Sequence, residues 1–368
     1  MTNRERFKNV MNFKPVDRLP VIEWAGWWDK TIERWRAEGL PASLSDAWEI
    51  RAHLGLDSYR QQTISPCAPE FPHPAHGMPA VLNAADYDRL LPLLYPRPPC
   101  FNPRVADAWG AEQRAGDTVV WISLIGFFWG PRTLLGIENH LCAFYDNAEL
   151  MKRINEDLLE YNLRSLEAYC DHCVPDFMTF AEDMSYNHGA MISKELFDEF
   201  LAPYYRRIVP ELKKRGIKVL VDTDGMMHDL VPWFLDNGFD GFLPLERMAG
   251  VDVNLLRQRH PTLLMIGAFD KTVMHRGEAA MRREFERLLP VMRSGGFIPS
   301  VDHQTPPEVS LADYKTYVHL LKEYASAAAS GGTELGSELS PAGGPAGDDP
   351  GGECRRAVDD PLHGAGRL

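Results

Sequence analysis

The side chains able to do chemistry in this sequence are mostly acids, and they recur in one kind of place. Each stands just beyond a short apolar run. Glu23 follows residues 19–22, Glu182 and Asp183 follow 177–181, and Asp222-Thr223-Asp224-Gly225 follows 217–221. Glu246 follows 239–245, Asp270 follows 262–266 after a short loop, and Asp302-His303 follows 297–301. A single acid after a strand usually caps a helix or closes a turn. Eight acids placed this way ask for more, because like charges gathered in a partly enclosed mouth repel. They persist if a metal, a cationic substrate or a shared proton compensates them. The bland alternative is a solvated acidic rim.

Asp222, Asp224 and His303 form the sharpest group. Residues two apart at the end of an extended strand point the same way, and two carboxylates with an imidazole suit a divalent metal, zinc being the first expectation. The competing reading makes Asp224 a cap for the next helix and has His303 hydrogen-bond within its own loop. Asp183, Tyr186, Asp302 and His303 are the candidate catalytic residues. Glu23, Trp24, Glu182, Glu246 and Asp270 are the candidate substrate-binding ones. Cys170-Asp171-His172-Cys173 has the spacing of a redox or zinc pair, but no second pair follows it, and helix-end cysteines are the simpler reading. The aromatic cluster of Trp24, Trp27, Trp28 and Trp35 reads as core or as a lid over the mouth, against a ring-stacking cofactor site.

These residues need a scaffold that brings strand ends together. From Ser193 onward the chain alternates. A helix expected from Ser193 to Arg215 has cations in its last turn and Gly216 beyond it, the signals that stop a helix. An apolar strand at 217–221 follows, then further helices and strands to 297–301, and a last helix opens at a capping box of Ser310 and Asp313. With strands at 19–22, 118–124 and 177–181, and a weaker one at 58–63, the count is about eight. That number closes a (β/α)8 TIM barrel, whose active site lies at the C-terminal strand ends. An open doubly wound sheet competes less well, because no glycine-rich phosphate loop follows the first strand. Residues 64–104 are proline-rich and read as a long excursion. Residues 1–325 form the single barrel domain. Residues 326–368 carry ten Gly, four Pro and no aromatic residue, and are expected to be a disordered tail.

The 368 residues hold 52 acids against 39 bases, a net charge of -13. That balance argues against a nucleic-acid or anionic-membrane partner. No apolar run reaches the roughly 18–20 residues that span a bilayer. The first residues lack the apolar core of a secretory signal, and six cysteines are too few for a disulfide scaffold, so a cytoplasmic location is expected.

Several stretches resemble the uroporphyrinogen decarboxylase superfamily, which includes the cobalamin-dependent methyltransferases. They are Thr2-Asn3-Arg4-Glu5-Arg6-Phe7, Pro15-Val16-Asp17-Arg18-Leu19-Pro20, Gly130-Pro131-Arg132-Thr133, Glu182-Asp183-Met184-Ser185-Tyr186-Asn187, the Asp222–Gly225 turn and Asp302-His303-Gln304-Thr305-Pro306. The resemblance covers most of residues 1–325 and implies one (β/α)8 barrel. The decarboxylases carry an arginine-rich loop after the first strand; here Glu23-Trp24-Ala25-Gly26-Trp27-Trp28 stands instead, and a polycarboxylate would meet charge of the wrong sign. The thiol-directed methyltransferases carry a His-x-Cys-Gly turn and a later Cys that bind zinc. Asp222-Thr223-Asp224-Gly225 and His303 take those places, a harder donor set. The resemblance thus implies metal-assisted methyl transfer between a small substrate and a corrinoid on a separate protein, since no Asp-x-His-x-x-Gly corrinoid motif occurs in this chain. Asp183, Tyr186 and Glu246 would orient the substrate, with Glu182 a further ligand. A lyase acting on a porphyrinogen or a smaller aromatic acid, with Asp183 or Asp302 supplying a proton, is the second reading. A homodimer is among the assemblies it allows.

Overall fold

The computed structural model describes residues 1–330. Seven parallel strands form one curled sheet: β1 (Tyr59–Ile64), β2 (Val119–Ile125), β3 (Phe177–Ala181), β6 (Lys218–Asp222), β7 (Gly241–Leu243), β8 (Leu264–Phe269) and β9 (Phe297–Val301). Between β3 and β6 a small antiparallel hairpin is made of β4 (Ser185–Tyr186) and β5 (Gly189–Ala190). Helices connect successive strands and cover the outside of the sheet. That is why β2, β8 and β9 are buried almost throughout rather than at alternate residues, as expected of a sheet covered on both faces.

The expected first strand, residues 19–22, is not a strand; it is an extended segment between β9 and β1. Pro20 has no N–H to give a ladder. Side chains replace that ladder. Val21 N–H donates to the Asp57 carboxylate at 2.8 Å, Trp24 N–H donates to Ser300 Oγ at 3.2 Å, and Asp57 N–H donates back to the Val21 carbonyl. Arg18 grips both oxygens of Asp57 at 2.7 Å. A small apolar cavity inside the sheet is lined by Ile22, Tyr59, Trp121, Phe177, Ile266 and Ile298 among others. Residues from both edges of the sheet therefore meet across one interior, and the fold is a TIM-like barrel of seven laddered strands and one extended stave.

The outer helices follow their sequence signals, with two corrections. The single helix expected from Ser193 to Arg215 is two, Lys194–Phe200 and Ala202–Lys214: the backbone breaks at Leu201, and Pro203 takes the first turn of the second helix, a place that suits proline. The boundary set at residue 326 also moves. The last helix, Leu311–Ser330, continues through Ser326-Ala327-Ala328-Ala329-Ser330. Those five residues contain none of the Gly and Pro that mark the tail, and alanine is the best helix former. The rest of the expected tail, 331–368, lies outside the described residues. The helix Glu278–Arg293 buries Met281, Phe285, Leu288 and Met292 on one face, each such side chain contributing about 1.5–3 kcal/mol when fully buried. Among the described residues no helix is long and apolar enough to cross a membrane.

Candidate active site

Three side chains from three strand ends converge at the mouth. Asp224, Glu246 and His303 each bring one ligand atom to within 4.8 Å of the others. Asp224 lies beyond β6, Glu246 beyond β7 and His303 beyond β9. His303 Nε2 is 3.7 Å from Asp224 Oδ2, and its Nδ1 is buried without a partner among the described residues. Burial pulls the imidazole pKa down, but Asp224 and Glu246 pull it up, and the net shift is upward. Burial also raises Glu246, with repulsion from Asp224 adding to it. The backbone N–H of Gly225 fixes Glu246 by a 2.9 Å bond.

Asp222 is not one of the three, and Glu246 stands in its place. The two-residue alternation assumed an extended chain as far as Asp224, but β6 ends at Asp222. The chain then turns at Gly225, whose φ is +83°. A Cβ there would lie 2.8 Å from the backbone of Tyr186, so only glycine lets the β6 turn pass so close to the hairpin. Asp222 stays near the group as a carboxyl held well above its ordinary pKa by burial and by repulsion from Asp183 and Asp224. Asp183 has a left-handed φ of +38°. Burial and the Asp224 charge push its pKa up to about 7, so it holds or releases a proton near neutrality.

The other predicted acids hold the barrel's rim together. Glu182 is 0% exposed, and its two oxygens accept the backbone N–H groups of Phe127, Phe128 and Trp129 at 2.8, 2.8 and 3.0 Å. Burial outweighs those bonds and lifts its pKa to about 8. Glu23, also 0% exposed, accepts from Ser300 Oγ and from the Tyr317 hydroxyl, and burial raises it to about 7. Asp302, 1% exposed, accepts from the backbone N–H of Arg247 and of Lys271, stapling the loops after β7 and β8; burial raises it to about 6. Asp270 caps the short 3₁₀ turn Lys271–Arg276 through Thr272. Trp24 donates its indole N–H to the Val301 carbonyl at 2.6 Å and lines the inner cavity. Tyr186 sits on the hairpin, 49% exposed at the rim.

Three contributors were not singled out from sequence. Gly126 leaves room for Glu182, since a Cβ there would lie 2.1 Å from its carboxylate. Lys271 is a cation facing Asp302, Glu246 and His303. Arg132 donates to the Asp183 carbonyl at 2.8 Å. A positive charge one helix away carries no spacing signal; the glycine could have been found only from a need for close approach. Cys170 and Cys173 are free, and burial raises the two thiols to about 11 and about 12. Neither thiol is activated as a nucleophile. Trp27 and Trp35 pack with Tyr314 and belong to the core side of the earlier alternatives.

A barrel with acids and an imidazole at the C-terminal ends of its strands places the chain among the TIM-like folds. The model of the family described as Uroporphyrinogen decarboxylase (URO-D) matches residues 99–324, more than half of the chain. The protein belongs to that family. Among solved structures, the methyltransferase from Methanosarcina mazei is 13% identical with a TM-score of 0.59, the match covering 88% of this chain and 99% of that one. A Listeria monocytogenes protein described as a vitamin-B12-independent methionine synthase is 12% identical, with a TM-score of 0.43 over 84% and 97% of the two chains. The GH53 catalytic domain of Ignisphaera aggregans is also 12% identical, with a TM-score of 0.39 over 82% and 99%. The last two align too loosely to bear on the reading. Comparison with curated proteins finds none that matches.

Proposed function

We propose that this chain is an enzyme that binds a divalent metal through Asp224, Glu246 and His303 and transfers a methyl group between a small substrate and a corrinoid carried by a separate protein. The observation that carries the reading is the meeting of those three ligand atoms within 4.8 Å at the barrel mouth. The donor set fits the group: two carboxylates and one imidazole match a hard or borderline divalent cation such as zinc or manganese. The methyltransferase among the structural neighbours supports the class of reaction. When bound, the metal would supply Lewis acidity toward a substrate oxygen, nitrogen or sulfur. The chain's own residues do the rest. Gly225 N–H fixes Glu246, and Asp183, near pKa 7, exchanges a proton with the substrate at neutral pH. Asp302 holds the β7 and β8 loops around the reacting volume.

Metal analysis of chelator-free protein tests the reading. The expected result is one equivalent in the wild type, affinity reduced at least ~10-fold in Glu246→Gln and His303→Ala, and retention in Asp222→Asn. Substoichiometric metal in the wild type, unchanged by His303→Ala, sinks it. Methylcobalamin can stand in for the corrinoid protein, its demethylation followed by absorbance with small thiols, alcohols and amines.

The lyase reading is favoured by one observation, the protonatable pair Asp183 and Asp222 inside a uroporphyrinogen decarboxylase-family barrel. Its strongest form is tested by incubating the protein with uroporphyrinogen. We expect no coproporphyrinogen on chromatography, and its appearance reverses the ranking.

A further inference from the structure

Arg132 stands out among the cations of the mouth. It projects from the helix Trp129–Leu135, just beyond β2. Its Nη1 donates to the backbone carbonyl of Asp183 at 2.8 Å and lies 3.9 Å from Met191 Sδ. The guanidinium lies over the Trp129 ring, 4.9 Å from its centroid. Its Nε and Nη2 find no acceptor, and no carboxylate comes within ion-pair distance, among the described residues. Arg4, Arg18 and Arg60 are matched to acids, Asp176 at 2.8 Å, Asp57 at 2.7 Å and Glu112 at 2.8 Å, while Arg51 and Arg257 each donate from two nitrogens to backbone carbonyls. Burial pulls the Arg132 pKa down, with only the Asp183 charge opposing. This cation is thus half-buried, set over an aromatic ring, and left with most of its planar donor fork unmatched. Such a fork fits the two oxygens of a carboxylate.

We propose that Arg132 anchors a single carboxylate on the substrate. Resting on the reading above, the other end of that substrate reaches Asp224, Glu246 and His303. The surrounding charge narrows the class further. Asp183 beside the anchor, with Asp222 and Asp224 acting on Asp183 in turn, disfavours a second anion. The substrate is therefore a small monocarboxylate whose reacting end is neutral or cationic. A purely structural Arg132 would do no more than hold Asp183 in its left-handed conformation, a task one N–H performs.

Saturation-transfer NMR with propionate as the probe, on the full chain as purified, separates the two roles. Propionate binds the wild type saturably in the millimolar range, and propionamide, uncharged and of the same shape, does not. Affinity falls at least ~10-fold in Arg132→Gln and by less in Arg132→Lys, which keeps the charge but loses the fork. Thermal melts of both variants check folding, and the propionate–propionamide contrast in the wild type stands without them. The titration is repeated after chelator treatment. Propionate binding that survives chelation and depends on Arg132 supports the anchor even if metal analysis fails the metal reading. Equal affinity for propionate and propionamide, wild-type affinity in Arg132→Gln, or binding abolished by chelation alone overturns it.

Discussion

The hold of Glu182 on three backbone amides can be tested by changing one atom, with Glu182→Gln. The carboxylate takes Phe128 and Trp129 N–H on one oxygen and Phe127 N–H on the other. Gln keeps one oxygen and puts an NH2 where the second accepted. Two donors then face each other in a site that is 0% exposed. The buried N–H left without an acceptor and the new NH2 that faces it cost about 1–3 kcal/mol each, so a loss of about 3 kcal/mol is expected. With an unfolding entropy of ~2.1 cal/mol/K per residue over the barrel, that lowers Tm by about 4 °C. The pH dependence follows from the raised pKa of Glu182, about 8 against an ordinary 4.5. A carboxyl with a raised folded-state pKa contributes stability that is complete below 4.5 and is lost as pH rises through about 8. Gln has no such titration. The gap between wild type and variant is therefore widest near pH 5 and narrows toward pH 9. Thermal melts at three pH values read both effects. A Tm within about 1 °C of wild type at pH 5, or a gap that widens with pH, refutes the argument.

Two more outcomes follow from the same site. Gly225→Ala places a Cβ 2.8 Å from the Tyr186 backbone at a φ of +83°; urea denaturation should show a loss of about 1–3 kcal/mol, with weakened metal uptake because Glu246 loses its fixed N–H. Glu23, buried and held at about 7, contributes stability that is full below 4.5 and lost as pH rises through 7. Glu23→Gln should therefore flatten the fall in Tm between pH 5 and pH 8, and an unchanged slope would count against this account of Glu23.

Much of the barrel was legible because strand and helix signals are local. The apolar runs at 177–181, 217–221 and 297–301, the Ser193 cap and the Ser310–Asp313 box all depend on neighbours in sequence. The segment at 19–22 misled because its apolar pattern matches a strand, while its pairing rests on Asp57 and Ser300, distant side chains that no window reveals. The acids were found by position, but their roles were not. Strand-end placement cannot tell Asp224, which faces two partners at the mouth, from Glu182, which faces three amides. That difference lies in where the side chain turns, and Gly126 and Gly225 decide it through contacts far along the chain. Arg132 was quoted for its motif rather than its charge, since its neighbour Asp183 lies fifty-one residues away.

The stave between β9 and β1 also bears on how the protein comes into being. Trp24 N–H meets Ser300 Oγ across 276 residues, and the Leu19 N–H meets the Ala325 carbonyl on the last helix. Contacts of such long range are slow to form, because a large loop must close before they reward it. During synthesis the first stave emerges with no neighbour on one side until nearly the whole barrel has been made. His303 lies just past that joint, so the mouth is assembled only when the seam shuts.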